Sequence, residues 1–422
     1  MHIGYSEIDI TPRIGVELCG YGMYPGRRAE AVKDHLYARA VAFIEGQKRL
    51  LLVNCDLLTL SGKIVKEVKQ GFIMDLGLKA EDILLISTHT YTAPSASDTE
   101  GIGERDEEYV QTLPALLVTA GKEAFKNTKQ VKEARQVKTE VSAGIGYNRV
   151  NPEGPVDKSL RGMAFYFDKG KPLALLSYGC HPVTLGPSGE ISADYPGAVV
   201  RAMDRAGYDC LFLTGFCGDI DPVSNRIKWG SGTQETLDEY GNTITDAFIE
   251  KIAEAGTMEN MSPDSFEIPV RLRMAELTGE ALDCMLEENA GEKVTYPGKY
   301  RLLQAWVARM RQDIAEKENP YEKTIVTQVF KIGGVVLFGF SAEMFTALAF
   351  PLIEALPEMN VMALGNANVT TGYIATRDDI ENKGYAGFES SFVYLTLPLW
   401  AGEGERLAEE VAKEAKAIFA KA

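Results

Sequence analysis

The hydrophobic pattern of the first part of the chain alternates between short β-rich runs and helical stretches. Two runs, 36–44 and 49–58, flank the polar turn 45–48 and predict a hairpin. A helical stretch over 63–76 follows, and then the apolar run 83–87, which is typical of a buried strand. This alternation favours an α/β or α+β layer architecture over a helix bundle or a sandwich.

The same pattern returns after residue 160. Runs 161–167 and 172–178 flank the turn 168–171, and a helix predicted over 196–206 leads to the strand 210–214. Three strands therefore end in loops rich in His, Asp, Gly and Pro. Such loops, just beyond buried strands, are where open α/β sheets place their ligands.

The second half continues the alternation with more charged helices. The predicted elements after residue 233 are helices over 234–254, 279–287 and 299–316, a hairpin of 324–332 with 335–340, and a closing amphipathic helix over 403–421. The polar, turn-rich segment 256–264 is the best candidate for a boundary between two lobes. The predicted fold class is α/β, with mixed α+β layers and a mixed sheet flanked by helices. We expect one unit over residues 1–422.

Charge and composition exclude several classes of partner. The 422 residues include 44 Lys and Arg and 60 Asp and Glu, giving a formal net charge of −16. Phosphate binding needs clustered positive charge, so neither nucleic acid nor an anionic membrane is expected as the main partner. The first residues have no basic segment followed by an apolar run, and no stretch approaches the roughly 18 apolar residues of a membrane span. These features predict a cytoplasmic protein without stable membrane association.

The cysteines and histidines indicate which kinds of metal or catalytic site the chain could form. The six cysteines form no CxxC pair, so neither a disulfide framework nor a cysteine zinc finger is indicated. Histidine is scarce, and the four occurrences are His2, His35, His89 and His181. His89 and His181 lie in strand-end loops, where a metal ligand or a general base would be placed.

A hydrolytic zinc site has about three protein ligands and keeps one position open for water. Spacing alone does not choose the carboxylate ligand, and the candidates are Asp194, Asp219, Asp221 and Glu343. Glu343 follows the apolar run 335–340, which favours a strand that leads into a helix. The alternative for Glu343 is an acid at a helix N-terminus, stabilised by the helix dipole.

Six motifs follow one another along the chain. They are Thr88-His89-Thr90, the strand-end His181, Ile191-Ser192-Ala193-Asp194, Gly218-Asp219-Ile220-Asp221-Pro222, Ser341-Ala342-Glu343-Met344-Phe345-Thr346 and Gly372-Tyr373-Ile374-Ala375-Thr376. Their order resembles the catalytic domain of neutral ceramidases, which are zinc-dependent amidases that cleave the N-acyl bond of ceramide. The resemblance runs from Gly4 to about Leu397. It implies a single catalytic unit, because the matched residues must meet at one point.

The resemblance also implies roles for individual residues. One Zn²⁺ per chain would be held by four ligands, His89, His181, Glu343 and Tyr373. Tyr385 matches a tyrosine that donates to the developing oxyanion, and Arg149 matches an arginine that lines the site. From the residues alone, Tyr373 is a strand aromatic and Arg149 forms a surface ion pair of little energetic value.

Two departures from the family pattern concern the substrate. Tyr91 stands where the family has a second histidine, and Asp221 stands where it has a serine. Both positions face the substrate in the family, so we expect Tyr91, Arg149 and Asp221 to contact a soluble small-molecule N-acyl or ester substrate other than ceramide. The expected proton carriers are Asp221 and Asp194.

The resulting hypothesis is a zinc-dependent hydrolase that cleaves an amide with metal-activated water. Three alternatives stay open: an esterase or lactonase at the same zinc site, a non-catalytic metal-containing binding protein, and a thiol nucleophile that uses Cys180 or Cys217 with His181. Adjacent residues on an extended strand point to opposite faces, which disfavours a pair of Cys180 with His181. The sequence gives no indication of oligomeric state.

Overall fold

The computed structural model describes residues 1–22 and 26–421. The strands are β1 His2–Asp9, β2 Ala31–Val32, β3 Tyr37–Glu45, β4 Lys48–Cys55, β5 Ile83–Ser87, β6 Lys129–Gln130, β7 Glu133–Glu140, β8 Gly146–Asn148, β9 Ser159–Tyr166, β10 Leu173–Tyr178, β11 Glu190–Ile191, β12 Asp209–Thr214, β13 Ile220–Pro222, β14 Pro263–Arg273, β15 Glu322–Ile332, β16 Val335–Gly339, β17 Glu343–Met344, β18 Asn360–Leu364 and β19 Tyr373–Ile374. The α-helices are α1 Gly62–Leu76, α2 Glu107–Lys126, α3 Asp194–Arg205, α4 Gln234–Glu254, α5 Gly279–Glu288, α6 Glu292–Thr295, α7 Pro297–Glu316, α8 Phe350–Ala355, α9 Arg377–Glu381, α10 Ser390–Val393 and α11 Glu403–Phe419.

Three sheets share the same strand order. The orders are β5-β4-β3-β1, with β6 beyond β1, then β12-β10-β9-β7, and β18-β16-β15-β14. In each sheet three antiparallel strands in sequence are followed by a crossover helix, and the fourth strand pairs in parallel with the third. The crossover helices are α1, α3 and α8. We call these units repeat 1 (2–87), repeat 2 (133–214) and repeat 3 (263–364).

The inner faces of the three sheets pack against one another. Phe43 of repeat 1, Phe165 of repeat 2 and Phe330 of repeat 3 belong to a single buried cluster, and the rings of Phe43 and Phe165 lie 6.1 Å apart. Helices cover the outer faces, with α1 and α2 on the first sheet, α3 and α4 on the second, and α7, α8 and α11 on the third. Because both faces are buried, the central strands are mostly apolar, although β3 carries the buried Arg39 and β9 the buried Arg161.

The mixed α/β architecture predicted from the sequence is confirmed. The predicted hairpins are β3–β4, β9–β10 and β15–β16, and the run 83–87 is β5. The candidate boundary 256–264 covers most of the connection between α4 and β14 and the first two residues of β14, and so lies where repeat 3 begins. Among the described residues, no helix has the length and apolar composition to cross a membrane.

Candidate metal centre

One candidate ligand follows a strand of each repeat in the chain. His89 follows β5, His181 follows β10, and Glu343 follows β16. Atoms of these three side chains lie within 4.8 Å of one another, and all three residues are buried. Glu343 lies on the short strand β17 and not at a helix N-terminus, so that alternative is wrong. We call this group the His-His-Glu cluster.

His89 is held by its backbone and by its Nδ1 atom. The backbone N–H donates to Leu57 O at 2.9 Å, and Nδ1 lies 2.7 Å from Leu58 O. A carbonyl oxygen can only accept, so Nδ1 carries the proton and Nε2 keeps its lone pair. The φ angle of His89 is +70°, a conformation that costs a non-glycine residue about 1–3 kcal/mol and occurs at functional sites.

His181 is held in the same way. Its backbone N–H donates to Ile220 O at 2.9 Å, and Nδ1 lies 2.5 Å from Cys217 O. The carbonyl again fixes the proton on Nδ1 and leaves the Nε2 lone pair facing the cluster. A backbone carbonyl on the second ring nitrogen is the arrangement that orients metal-bound histidines.

The two Nε2 atoms converge on one carboxylate oxygen. Nε2 of His89 lies 3.0 Å from Glu343 Oε2, and Nε2 of His181 lies 3.1 Å from the same atom. Nε2 of His89 is buried and has no hydrogen-bond partner. Lone pairs that face a carboxylate without a proton between them are unfavourable, and a cation removes this cost. Two imidazole nitrogens and one carboxylate oxygen form a donor set that suits Zn²⁺.

The charges at the cluster favour an ionised Glu343 and a neutral His181. Burial raises the pKa of Glu343, but His89 and His181 outweigh it and hold the pKa well below its usual value. Burial and the nearby Arg149 lower the pKa of His181. Neutral imidazole and ionised carboxylate are the forms that bind a metal.

Tyr373 lies beside the cluster on β19. Its position in the parallel pair β17–β19 is opposite Glu343, and its ring stacks on the His181 ring at 6.5 Å. The hydroxyl accepts a hydrogen bond from Arg149 Nη2 at 3.1 Å, and burial raises the pKa of the phenol. The role of Tyr373 as a fourth ligand stays a prediction.

Arg149 and Asp221 form an ion pair next to Tyr373. Arg149 Nη1 lies 3.1 Å from Asp221 Oδ1, and Nη2 also donates to Gly218 O at 2.9 Å. The side chains are 24% and 3% exposed, so this is not the weak surface pair considered as an alternative. Burial lowers the pKa of Arg149, but Asp221 and Tyr373 outweigh this and raise it.

Tyr91 lies beside the two histidines of the cluster, and Tyr385 lies beside Tyr373. The Tyr91 ring is 5.2 Å from the His89 ring and 5.9 Å from the His181 ring, and burial raises the pKa of its phenol. Gly20, at φ +115°, makes room for this ring, because a Cβ there would lie 2.6 Å from it. Tyr385 is 53% exposed, and its ring is 5.9 Å from the ring of Tyr373.

Asp194 and Asp219 hold loops next to the cluster. The Asp194 carboxylate accepts backbone N–H groups from Thr184, Leu185 and Tyr195, at 3.3, 3.2 and 2.8 Å, and so fixes the loop after His181. Asp219 accepts hydrogen bonds from the Asn148 side chain and the Thr346 N–H, each at 2.7 Å. Among the four candidate carboxylates, Glu343 is the one that contacts both histidines.

The thiol alternative is not supported by the site. Cys180 and Cys217 are buried, and burial raises the pKa of both thiols well above the usual value. Both ring nitrogens of His181 already face other groups, Cys217 O and Glu343. No base is therefore placed to activate either thiol in the way that a cysteine nucleophile requires.

Tyr394 belongs to the site but was not predicted from the sequence. Its hydroxyl donates to Glu343 Oε1, the oxygen that the histidines do not face. Leu395, at φ +47°, turns the chain directly after it. The local sequence is a mostly apolar run, so nothing in it distinguishes Tyr394 from a core aromatic. The contact to Glu343 arises only in the folded chain.

We expect Tyr394→Phe to weaken metal binding about 10–100-fold, because it removes the group that orients a ligating carboxylate. Affinity measured by competition with a coloured chelator checks this. Tyr321→Phe is the matched control, since Tyr321 donates to Leu277 O at 3.2 Å and packs on the same apolar cluster as Tyr394. Equal metal affinities of the two variants would contradict the role of Tyr394.

A scan against protein-family models finds no match, and a search of curated proteins finds none. Solved structures do match. The neutral ceramidase from Pseudomonas aeruginosa has a TM-score of 0.77 at 18% identity, covering 99% of this chain and 74% of that chain. A structure described as ceramidase complexed with C2 also has a TM-score of 0.77, at 17% identity, covering 100% of this chain and 75% of that chain.

These similarities show that the chain has the fold of the neutral ceramidase catalytic domain, as the motif order implied. The expected architecture is therefore confirmed over the whole chain. The His-His-Glu cluster on this fold is a site that could bind a metal ion.

Proposed function

We propose that this protein is a zinc-dependent hydrolase that cleaves an amide bond of a soluble N-acyl substrate. One observation carries the proposal: two Nε2 lone pairs meet one carboxylate oxygen in a buried cluster on a ceramidase-like fold. The two similar solved structures are ceramidases, which supports an amide as the bond that is cleaved.

In the proposed mechanism, some residues bind the metal and others contact the substrate. His89, His181 and Glu343 would hold the zinc ion, and Tyr373 would be the fourth ligand. Zinc, when bound, lowers the pKa of water to about 7 and polarises a carbonyl group. Tyr385, at the exposed side of Tyr373, donates a hydrogen bond to the carbonyl oxygen of the substrate as negative charge develops there.

The amide nitrogen must receive a proton before it leaves, and Asp221 is the better placed of the two expected carriers. Asp221 accepts one hydrogen bond, from Arg149 through Oδ1. The Asp194 carboxylate is already occupied by three backbone N–H groups, which leaves it a positioning role. Arg149 in turn contacts both Asp221 and Tyr373, so it links the proton carrier to the metal ligands.

The ring of Tyr91 supports a substrate other than ceramide. This phenol replaces the second histidine of the family pattern and lies directly against both ligating imidazoles. A phenol with a raised pKa donates a hydrogen bond at neutral pH but does not act as a base. Tyr91 therefore contributes to substrate binding, with Arg149 and Asp221, and leaves proton transfer to Asp221.

We expect Asp221→Asn to lower kcat on the amide substrate about 10²–10⁴-fold, because the amide side chain can accept from Arg149 but cannot carry the proton. Zinc content should be unchanged, since Asp221 contacts none of the three cluster side chains through a described hydrogen bond. Steady-state kinetics and metal analysis check both parts. Asp204→Asn, at a surface pair with Lys171, is the control. Full activity of Asp221→Asn would remove Asp221 from the mechanism.

The function is tested by turnover on a panel of N-acyl amines, N-acyl amino acids, N-acetyl sugars, esters and lactones. Hydrolysis of an amide that stops in chelator and returns with Zn²⁺ supports the proposal. Hydrolysis of only esters or lactones would make the protein an esterase or a lactonase. Metal binding without any turnover would indicate a binding protein.

A further inference from the structure

A pocket separate from the His-His-Glu cluster has Tyr394, the residue whose hydroxyl donates to Glu343, in its wall. Its volume is about 220 Å³, and it is lined by Tyr394, by Lys323 of β15 and by the hydroxyl residues Ser97, Thr99, Thr370 and Thr396. None of these hydroxyl residues, nor Lys323, is part of the His-His-Glu cluster. The lining combines these polar groups with the apolar side chains of Leu60, Val369 and Leu395.

Lys323 is the cation of this pocket, and it has no carboxylate partner among the described residues. Its Nζ donates one hydrogen bond, to Thr371 O at 2.5 Å. An ammonium group has three protons, so two remain for another acceptor. Burial, with a small contribution from Lys317, lowers the pKa of Lys323 to about 8, so the group is still mostly charged at neutral pH. A desolvated cation of this kind gains from an anion beside it.

The carboxylate in the lining does not neutralise Lys323. Asp98 lines the pocket, but its Oδ2 accepts the backbone N–H of Gly62 at 3.0 Å. Its Oδ1 accepts from Arg105 at 3.2 Å, and this ion pair balances its charge. The positive charge of Lys323 is therefore not balanced by a carboxylate of the described pocket lining.

We propose that this pocket binds the carboxylate group of a small monoanionic ligand. Lys323 supplies the charge, and the hydroxyl pair of Ser97 and Thr99, whose oxygens lie 2.5 Å apart and share one proton between them, supplies one further donor. One ammonium group matches a single negative charge, whereas phosphate dianions are usually held by several cations or by backbone N–H groups. The net charge of −16 also disfavours a dianion more than a monoanion. The volume suits a short acid or the acidic end of a larger molecule.

The position of the pocket connects it to the metal centre. Tyr394 forms part of its wall and donates to Glu343, so one side chain separates a bound carboxylate from the His-His-Glu cluster. The pocket itself does not depend on amide hydrolysis. If the proposed function holds, the carboxylate belongs to the substrate, which is then an N-acyl compound with an acidic group.

The proposal is tested by measuring the binding of propionate, a small monocarboxylate, to the protein. We expect Lys323→Met to weaken propionate binding, measured by calorimetry, at least about tenfold, because a charged hydrogen bond is lost. Lys331→Met, on the same strand β15, is the matched control and should bind as the unaltered protein does. Propionate should also protect Lys323 from acetylation by an activated ester, followed by mass spectrometry. Equal binding by the two variants, or tighter binding of inorganic phosphate than of propionate, would overturn the proposal.

Steady-state kinetics provide a second test, and this test rests on the proposed function. With an N-acyl substrate that carries a carboxylate, Lys323→Met should raise KM about tenfold and leave kcat nearly unchanged. With the neutral analogue, KM should not change. A variant that slows both substrates equally would contradict a role in binding the carboxylate. Absence of turnover in the unaltered protein would overturn the proposed function, and the propionate measurements would still decide the pocket.

Discussion

Replacing Glu343 with Gln is expected to abolish both zinc binding and hydrolysis. Glu343 Oε2 is the atom on which both histidines converge, and an amide at this position offers no negative charge to a cation. Changes to groups that only support a ligand cost about 10–100-fold in metal affinity, so loss of the ligating charge itself should cost more than about 100-fold. Metal analysis after dialysis, together with kcat/KM, measures the effect.

The matched control for this change is Glu403→Gln. Glu403 is also a buried carboxylate, 1% exposed, and accepts hydrogen bonds from Arg273 and Arg406, far from the cluster in the chain. This variant should lose stability but keep its zinc. If Glu343→Gln retained a full equivalent of zinc after dialysis, the His-His-Glu cluster would not be the metal site.

Replacing Trp306 with Ala is expected to give the largest loss of stability. Trp306 is fully buried on α7, its ring lies 4.7 Å from Phe392, and its indole N–H donates to Thr396 O at 2.7 Å. Removal of a buried Trp side chain costs about 3–5 kcal/mol, because it leaves a cavity and an unpaired carbonyl group. Urea unfolding, followed by fluorescence and circular dichroism, gives the free energy of unfolding.

Two further variants separate the contributions at this position. Trp306→Phe keeps part of the ring and loses the indole N–H, so its loss should be smaller. Trp400→Ala removes a Trp that is 48% exposed and should cost about 1 kcal/mol or less. Similar losses from Trp306→Ala and Trp400→Ala would show that burial of Trp306 is not what stabilises this part of the fold.

Much of the local structure was predictable from the sequence, because the hydrophobic period is strong where strands are buried on both faces. The hairpins and β5 are of this kind. The helix α2 and the strand β14 were not predicted, and both contain an internal proline, Pro114 and Pro269. The fold tolerates Pro269 because β14 is an edge strand that pairs only with β15. The common strand order could not be predicted, because β14 and β15 pair across an insertion of three helices.

The sequence predicts those site residues whose type and position are informative by themselves. His89 and His181 were identified because histidine is scarce and both follow predicted strands. Glu343 was one of four candidate carboxylates, and the motif order favoured it. Tyr394 and the unpaired Nε2 of His89 could not be predicted, because both depend on contacts between residues that are distant in the chain.

The three candidate ligands follow strands of three different repeats, so a bound ion would depend on how the three sheets pack together. No single repeat can hold the ion, so metal affinity measures how well all three sheets are docked around their shared core. A bound ion would in turn stabilise the docked state over any state in which one repeat has opened, by an amount set by its affinity and concentration. A bound metal would thus hold the three repeats together, and a mutation in any repeat, however far from the cluster, would weaken metal binding.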